Sequence, residues 1–224
     1  MPLANAGAFI WLMASKYMTK DQSTSRRKPL LIVFCKNPVL GLCKTRLAAT
    51  IGDAAALSIY EFLLNHTATI CSALKTDKQV FYSHSLNSGD CWPESTFQKK
   101  IQCGSDLGQR MNHAFAGGFD EGYTHIVLIG TDLYDLDIAL LENAFEALKQ
   151  KEVVIGPSED GGYYLIGLSR LNSELFNNKN WSTSSVLSDT LSNLPPESYH
   201  LLPKRNDIDT EADLHPIDVF KPFL

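Results

Sequence analysis

The sequence predicts an α/β fold built on a mostly parallel sheet, and three observations carry that expectation. Short apolar runs such as LLIVF (residues 30–34), HIVLIG (125–130) and VVIGP (153–157) read as strands buried on both faces. Stretches with apolar residues at helical spacing lie between them. Strands alternating with helices of this kind imply βαβ crossovers, which make neighbouring strands parallel.

Taken in order, LLIVF is the first strand, and a loop containing Pro38 and Gly41 follows it. From Asp53 to Leu74, the positions Leu57, Tyr60, Leu63, Leu64, Ile70, Cys71 and Leu74 trace one helical face. QVFYS (79–83) is the second strand, 84–96 is loop, and 97–103 holds a short strand. Asp106 opens a second helix, in which Leu107, Met111, Ala114, Phe115 and Phe119 share a face. Asp106 with Gln109 fits a capping box, with Asp in place of Ser or Thr. After HIVLIG, the residues Ile138, Leu141, Phe145 and Leu148 mark a third helix. VVIGP and Tyr163–Leu168 are strands. A helix from about Ser184 to Leu194 ends before Pro195-Pro196, and YHLLP (199–203) is a late strand. Ligands in such sheets sit at the carboxyl ends of the strands. The loops of interest are therefore 35–46, 131–137, 157–162 and the segment after 203.

Composition narrows the function. The 224 residues make one large α/β domain or two small ones. The net charge is −5 and no stretch is densely basic, which argues against a nucleic-acid partner but not against a nucleotide. The 5 cysteines are odd in number and have no C-x-x-C spacing, so reduced thiols in a cytoplasmic protein are expected. Residues 1–28 differ from the rest. Their apolar run, 7–14, is too short to span a bilayer and lacks the flanks of a signal peptide. They are expected to form a flexible leader, with no stable membrane anchor, ahead of a single domain over 29–224.

Four loops carry chemistry. In CKNPVLGLCKTRL (35–47), Lys36, Lys44 and Arg46 stand beside Gly41 and Thr45 directly after the first strand. Glycine lets backbone approach a phosphate, and Lys or Arg neutralises its oxygens. The spacing is neither a Walker A nor a G-x-G-x-x-G loop, and a solvated basic loop is the alternative. In GTDLYDLD (130–137), Asp132 falls at the carboxyl end of an apolar strand, with Asp135 and Asp137 behind it. Carboxylates there suit Mg²⁺ or Mn²⁺, whereas Asp137 reads better as the cap of the following helix. In GPSEDGGYY (156–164), Asp160, Gly161 and Gly162 make either an ordinary hairpin turn or a ligand-approaching one. In NDIDTEADL (206–214), Asp207 and Asp209 precede Thr210, a helix cap, and a carboxylate from here could complete the Asp132 site.

The ordered set K-x-P-x-x-G-x-x-K-T-R-L, D-L-G-x-R-M, G-T-D-x-x-D-L, G-P-x-E-D-G-G-Y-Y-L-I-G-L, W-S-T and D-I-D-T-x-x-D-L resembles the DUF2064 family. That family is also described as glycosyltransferase-A-like and as the transferases associated with radical-SAM selenodomain neighbourhoods. The resemblance spans residues 30–216. It implies a Rossmann-like three-layer αβα domain with a mostly parallel mixed sheet, the GT-A or nucleotide-diphospho-sugar transferase fold. It implies that Gly41, Lys44, Thr45 and Arg46 wrap phosphates, with Lys36, Asp135, Asp160, Gly161 and Gly162 around the substrate. Asp132 would hold the metal with Asp207 or Asp209. One departure is Leu133-Tyr134, where the family reads Ser-Pro.

The function expected on these grounds is metal-dependent transfer, glycosyl or nucleotidyl, from a nucleotide or nucleotide sugar to a small-molecule acceptor. Lys44, Arg46 and Asp132 would be catalytic, and Mg²⁺ or Mn²⁺ would be required. A nucleotide phosphohydrolase and a non-catalytic nucleotide-binding scaffold are the alternatives. The leader generates a first test. A chain shortened to begin at Ser25 should melt at the temperature of the full chain. A loss of several degrees in a thermal melt would show that the apolar run 7–14 packs on the core.

Overall fold

A computed structural model of the protein describes residues 28–223. The strands are β1 Pro29–Cys35, β2 Asp77–Tyr82, β3 Gln98–Ile101, β4 His125–Ile129, β5 Val153–Pro157, β6 Tyr163–Leu168 and β7 Tyr199–Leu201. The helices are α1 Thr45–Ile51, α2 Asp53–Ala73, α3 Leu107–Asp120, α4 Ile138–Ala147, α5 Val186–Leu191 and α6 Glu211–Leu214. The strands form one sheet in the order β3-β2-β1-β4-β6-β5-β7. All pairings are parallel except those of β6, which runs antiparallel to both β4 and β5. The mostly parallel mixed sheet is as expected.

The continuous apolar strands work as their composition requires. In β1, Leu31 and Val33 enter one core layer while Leu30 and Ile32 enter the other, all four fully buried. The first layer continues through Tyr60 and Leu64 of α2 and Leu141 of α4. The second continues through Met111 and Phe115 of α3 to Phe176. A third, smaller cluster joins Leu47 of α1 and Ile59 and Leu63 of α2 to Ile208, Leu214 and Phe220. It fixes the last segment of the domain against the first two helices. Strand order reverses direction between β1 and β4, so the crevice beyond their carboxyl ends is where a ligand is held in this architecture.

Three local readings are corrected. Loop 35–46 is shorter than expected, because Thr45 already begins helix α1. The late helix is only Val186–Leu191, and serine and threonine hydroxyls around it bond to nearby backbone carbonyls and so compete with helix continuation. Asp106 caps α3 by accepting from the Gln109 N–H at 2.8 Å, but the Gln109 side chain accepts from Ser105 rather than Asp106. Asp137 caps α4, accepting from the Leu140 N–H at 2.7 Å. The departure at Leu133-Tyr134 is absorbed by packing. Leu133 is buried in the first core layer, and the Tyr134 ring lies 5.0 Å from His66 and 5.2 Å from Phe220. No helix among the described residues is long and apolar enough to cross a membrane. The expected leader lies outside the described residues except Lys28, whose carbonyl accepts from the Thr124 N–H at 2.9 Å.

Two glycines of α3 make opposite predictions. A Cβ on Gly108 would lie 2.4 Å from the Phe176 carbonyl oxygen and 2.6 Å from the Trp181 ring, while one on Gly117 would meet nothing within 4 Å. Gly108→Ala should therefore destabilise by about 1–3 kcal/mol through overpacking. Gly117→Ala should stabilise by about 0.5–1 kcal/mol through helix propensity. Denaturant unfolding of both variants checks the pair, and equal effects would contradict the packing.

Candidate functional site

The site assembles from three segments far apart in sequence. Lys44 sits at the junction of the first loop with α1, with backbone in the left-handed region at φ 49°. A non-glycine residue there costs about 1–2 kcal/mol, so the conformation must be held by its surroundings. Its side chain is only 5 % exposed, and its Nζ lies 2.5 Å from Asp132 Oδ1 and 3.1 Å from Asp209 Oδ1. Burial alone would lower the pKa of this ammonium. The two carboxylates outweigh that and hold it above the usual lysine value. Arg46, 67 % exposed, donates to Asp209 Oδ2 at 2.7 Å. Asp132 and Asp209 are thus joined through one ammonium, which places their oxygens no further apart than those two contacts laid end to end.

The last acidic turn is built to stay beside Asp132. Ile208 is buried in the third apolar cluster, and its N–H donates to the Asp132 carbonyl at 2.9 Å. Its neighbours Asp207 and Asp209 are only partly buried. The Asp213 carboxylate accepts from the Thr210 N–H at 2.7 Å, the Thr210 hydroxyl at 2.8 Å, the Asp209 N–H at 3.1 Å and the Asn206 amide at 2.6 Å. Asp207 lies in the same electrostatic neighbourhood. Burial first, and then the charges of Asp132 and Asp209, push its carboxyl up to about 7.

The other predicted residues divide. Asp160 uses its carboxylate within its own turn, accepting from the Ser158 hydroxyl at 2.5 Å and the Gly162 N–H at 2.9 Å. Gly161 has φ 88°, and a Cβ there would fall 2.2 Å from the Ser184 carbonyl oxygen, so the turn is seated on the W-S-T loop. A cavity of about 270 Å³ joins Asp160 to Arg46, Asp207 and Asp209. Asp135 is drawn elsewhere: its carboxylate pairs with Arg205 Nε at 3.1 Å. Gly41 has φ 74°, and Thr45 is exposed at the first turn of α1. Lys36 is exposed, while its backbone is held by Tyr60, whose hydroxyl accepts from the Lys36 N–H at 2.8 Å. A larger polar hollow of about 550 Å³, lined by Glu174, Lys179 and Asp189 among others, contains none of the predicted residues and lies apart from this chemistry.

Two contributors were invisible to sequence reading. Tyr60, read only as a core position, also donates to the Lys36 carbonyl at 3.1 Å and reaches Thr131 Oγ1 at 3.4 Å. It therefore ties the first loop to the G-T-D loop. Asn37 joins the first loop to the segment after β2, its side-chain oxygen accepting from the His84 N–H at 3.1 Å and the Ser83 hydroxyl at 3.3 Å.

Whether the donors suit a metal has a two-part answer. Three carboxylates supply the oxygen ligands that Mg²⁺ and Mn²⁺ prefer, and burial, with the charges of Asp132 and Asp209 added, holds Asp207 raised. Yet no metal-ligating group of three or more such side chains is formed among the described residues. Between Asp132 and Asp209 stands the Lys44 ammonium.

The Asp213 hub generates a prediction. Its burial opposes ionisation, but the four donors prevail and hold the carboxyl below its usual value. A depressed carboxylate adds stability above its unfolded pKa and loses it as pH falls through the folded one. Asp213→Asn should therefore cost about 1.5–3 kcal/mol near neutral pH, the scale of hydrogen bonds to a charged group. The gap should begin to close below about pH 4, where the unfolded chain's carboxyl takes up a proton, and vanish only once the folded carboxyl, held lower, protonates too. A constant gap across a pH series of thermal melts would refute the charge-assisted account.

Comparison with known proteins bears on the family and the fold. The profile of the family described as "Uncharacterized protein conserved in bacteria (DUF2064)" matches residues 66–183. A solved structure from Desulfovibrio desulfuricans G20, named for the nucleotide-diphospho-sugar transferases, superposes with TM-score 0.80 at 29 % identity, over 87 % of this chain and 88 % of that one. A 4-diphosphocytidyl-2C-methyl-D-erythritol synthase from Anaerococcus prevotii DSM 20548 superposes at 0.55 with 9 % identity, over 87 % and 96 %. A cytidylyltransferase from Leptospira borgpetersenii serovar Hardjo-bovis superposes at 0.51 with 11 % identity, over 83 % and 79 %. These last two share the fold alone. None of the curated proteins matches the chain. With D-L-G-x-R-M, G-T-D and E-D-G-G-Y-Y all inside the matched stretch, which covers more than half of the chain, the chain belongs to the DUF2064 family.

Proposed function

We propose that the protein is a metal-dependent transferase that takes a nucleotide or nucleotide sugar and passes a nucleotidyl or glycosyl group to a small-molecule acceptor in the cytoplasm. The observation that carries the proposal is the convergence of Lys44, Arg46, Asp132 and Asp209 on one point beyond β1 and β4. Cations for phosphate oxygens and carboxylates for a divalent cation stand together where this architecture holds its ligand. The name of the Desulfovibrio structure, a nucleotide-diphospho-sugar transferase, supports the same chemistry. Neither a nucleic-acid partner nor a membrane anchor belongs to this reading.

Asp132 with Asp207 or Asp209 would hold Mg²⁺ or Mn²⁺, which when bound would neutralise charge developing on phosphate oxygens. The side chains divide the remaining work. Arg46, exposed on the first turn of α1, can swing from Asp209 to a phosphate and bind two of its oxygens at once. Gly41 keeps the first loop low enough for backbone to approach the ligand, with Lys36 and Thr45 beside it. The turn carrying Asp160, Gly161 and Gly162 forms the opposite wall, where an acceptor hydroxyl or phosphate would be positioned. Asp135, through Arg205, braces the loop that carries Asp132.

The test is product analysis with labelled nucleoside triphosphates and nucleotide sugars in the presence of Mn²⁺ or Mg²⁺. Transfer of label to an acceptor is expected. Release of label to water alone would indicate a hydrolase, and binding without turnover would indicate a scaffold. Arg46→Ala should weaken nucleotide binding by about 1.5–3 kcal/mol with little effect on melting temperature. Equal affinity in calorimetry would remove Arg46 from the site.

A further inference from the structure

We propose that Lys44 is the resident cation of the carboxylate cluster in the free protein, and that its ammonium and a divalent metal exclude one another there. The inference rests on the transferase reading for the identity of the site, but not for its own argument. The Lys44 ammonium is in contact with both Asp132 and Asp209, the two carboxylates best placed to share a metal. A cation already within hydrogen-bonding distance of both oxygens occupies the volume a metal would fill and repels its charge. The side chain is buried and the backbone beneath it is left-handed, so this placement is held against a conformational cost.

The same geometry provides the way out. Lysine carries its charge on a flexible four-carbon stem, so the ammonium can leave the carboxylates without moving α1. A nearby phosphate would draw it, and Asp132, Asp207 and Asp209 would then present uncompensated oxygens to a metal. Metal and phosphate-bearing substrate would therefore bind with positive coupling, each weak alone, because Lys44 must change partners for either to enter.

The experiment titrates Mn²⁺ alone, with no nucleotide, into the full chain and reads free Mn²⁺ by electron paramagnetic resonance. Parent, Lys44→Met, Lys44→Asn and Lys44→Arg are compared. Asparagine tolerates the left-handed backbone and guards against a methionine variant that fails to fold. Lys44→Met and Lys44→Asn should bind Mn²⁺ at least about tenfold more tightly than the parent, while Lys44→Arg, which keeps the charge, should not. Adding Asp132→Asn to either neutral variant should abolish the gain. Equal Mn²⁺ affinity in the parent and the neutral variants, whether tight or undetectable, would overturn the proposal, as would a gain that survives Asp132→Asn. The titration contains no nucleotide, so failure to find transfer products would leave its result standing, and the converse holds.

Discussion

One buried ammonium holds the carboxyl edge of the sheet together. Burying a charge is unfavourable unless partners replace the lost water. Lys44 finds those partners on two segments distant from its own loop in sequence. Because Asp132 lies only three residues beyond the end of β4, its position is set largely by the sheet. Lys44 and Asp209 then have to come to it. The left-handed backbone at Lys44, the start of α1 and the path of the 206–213 turn all follow from meeting that demand.

The apolar side of the molecule makes the same demand from below. Ile208 and Leu214 are buried with residues of α1 and α2, so the last segment is anchored to the helices that follow the first strand. The acidic residues next to Ile208 are thereby held near Asp132 by a hydrophobic contact, and Asp209 by its pairing with Lys44 and Arg46 as well. Left to themselves, the like charges of Asp132, Asp207 and Asp209 would favour spreading apart. Packing and the Lys44 and Arg46 cations together hold these carboxylates against their mutual repulsion.

Much of this was legible in the sequence, and the failures have physical reasons. VVIGP and YYLIGL are strands over the residues expected, because apolar runs bounded by Gly and Pro leave little freedom. The capping role of Asp137 was legible because capping is local. Helix α1 was not, since TRLAATI buries only Leu47 and is too short to display a period. The candidate residues could be named from loop position, but their pairing could not. Lys44 and Asp209 are separated by 165 positions, and nothing local records that they meet. Asp135 shows the converse: it sits in the right loop, yet Arg205 claims it. Tyr60 escaped notice because its ring belongs to the core while its hydroxyl alone reaches the loops.

The reversed strand β6 has a mechanical consequence. Flanked by antiparallel ladders on both sides, it makes the 158–162 hairpin a direct continuation of the sheet, and Gly161 is pressed against the Ser184 backbone. The wall across the crevice is different: Val39, Leu40 and Leu42 stand in solvent on a loop held mainly at its root by Tyr60 and Asn37. The crevice thus resembles a vice with one fixed and one sliding jaw. Tolerance for guests of different size would come from the first loop, while the hairpin keeps the gauge.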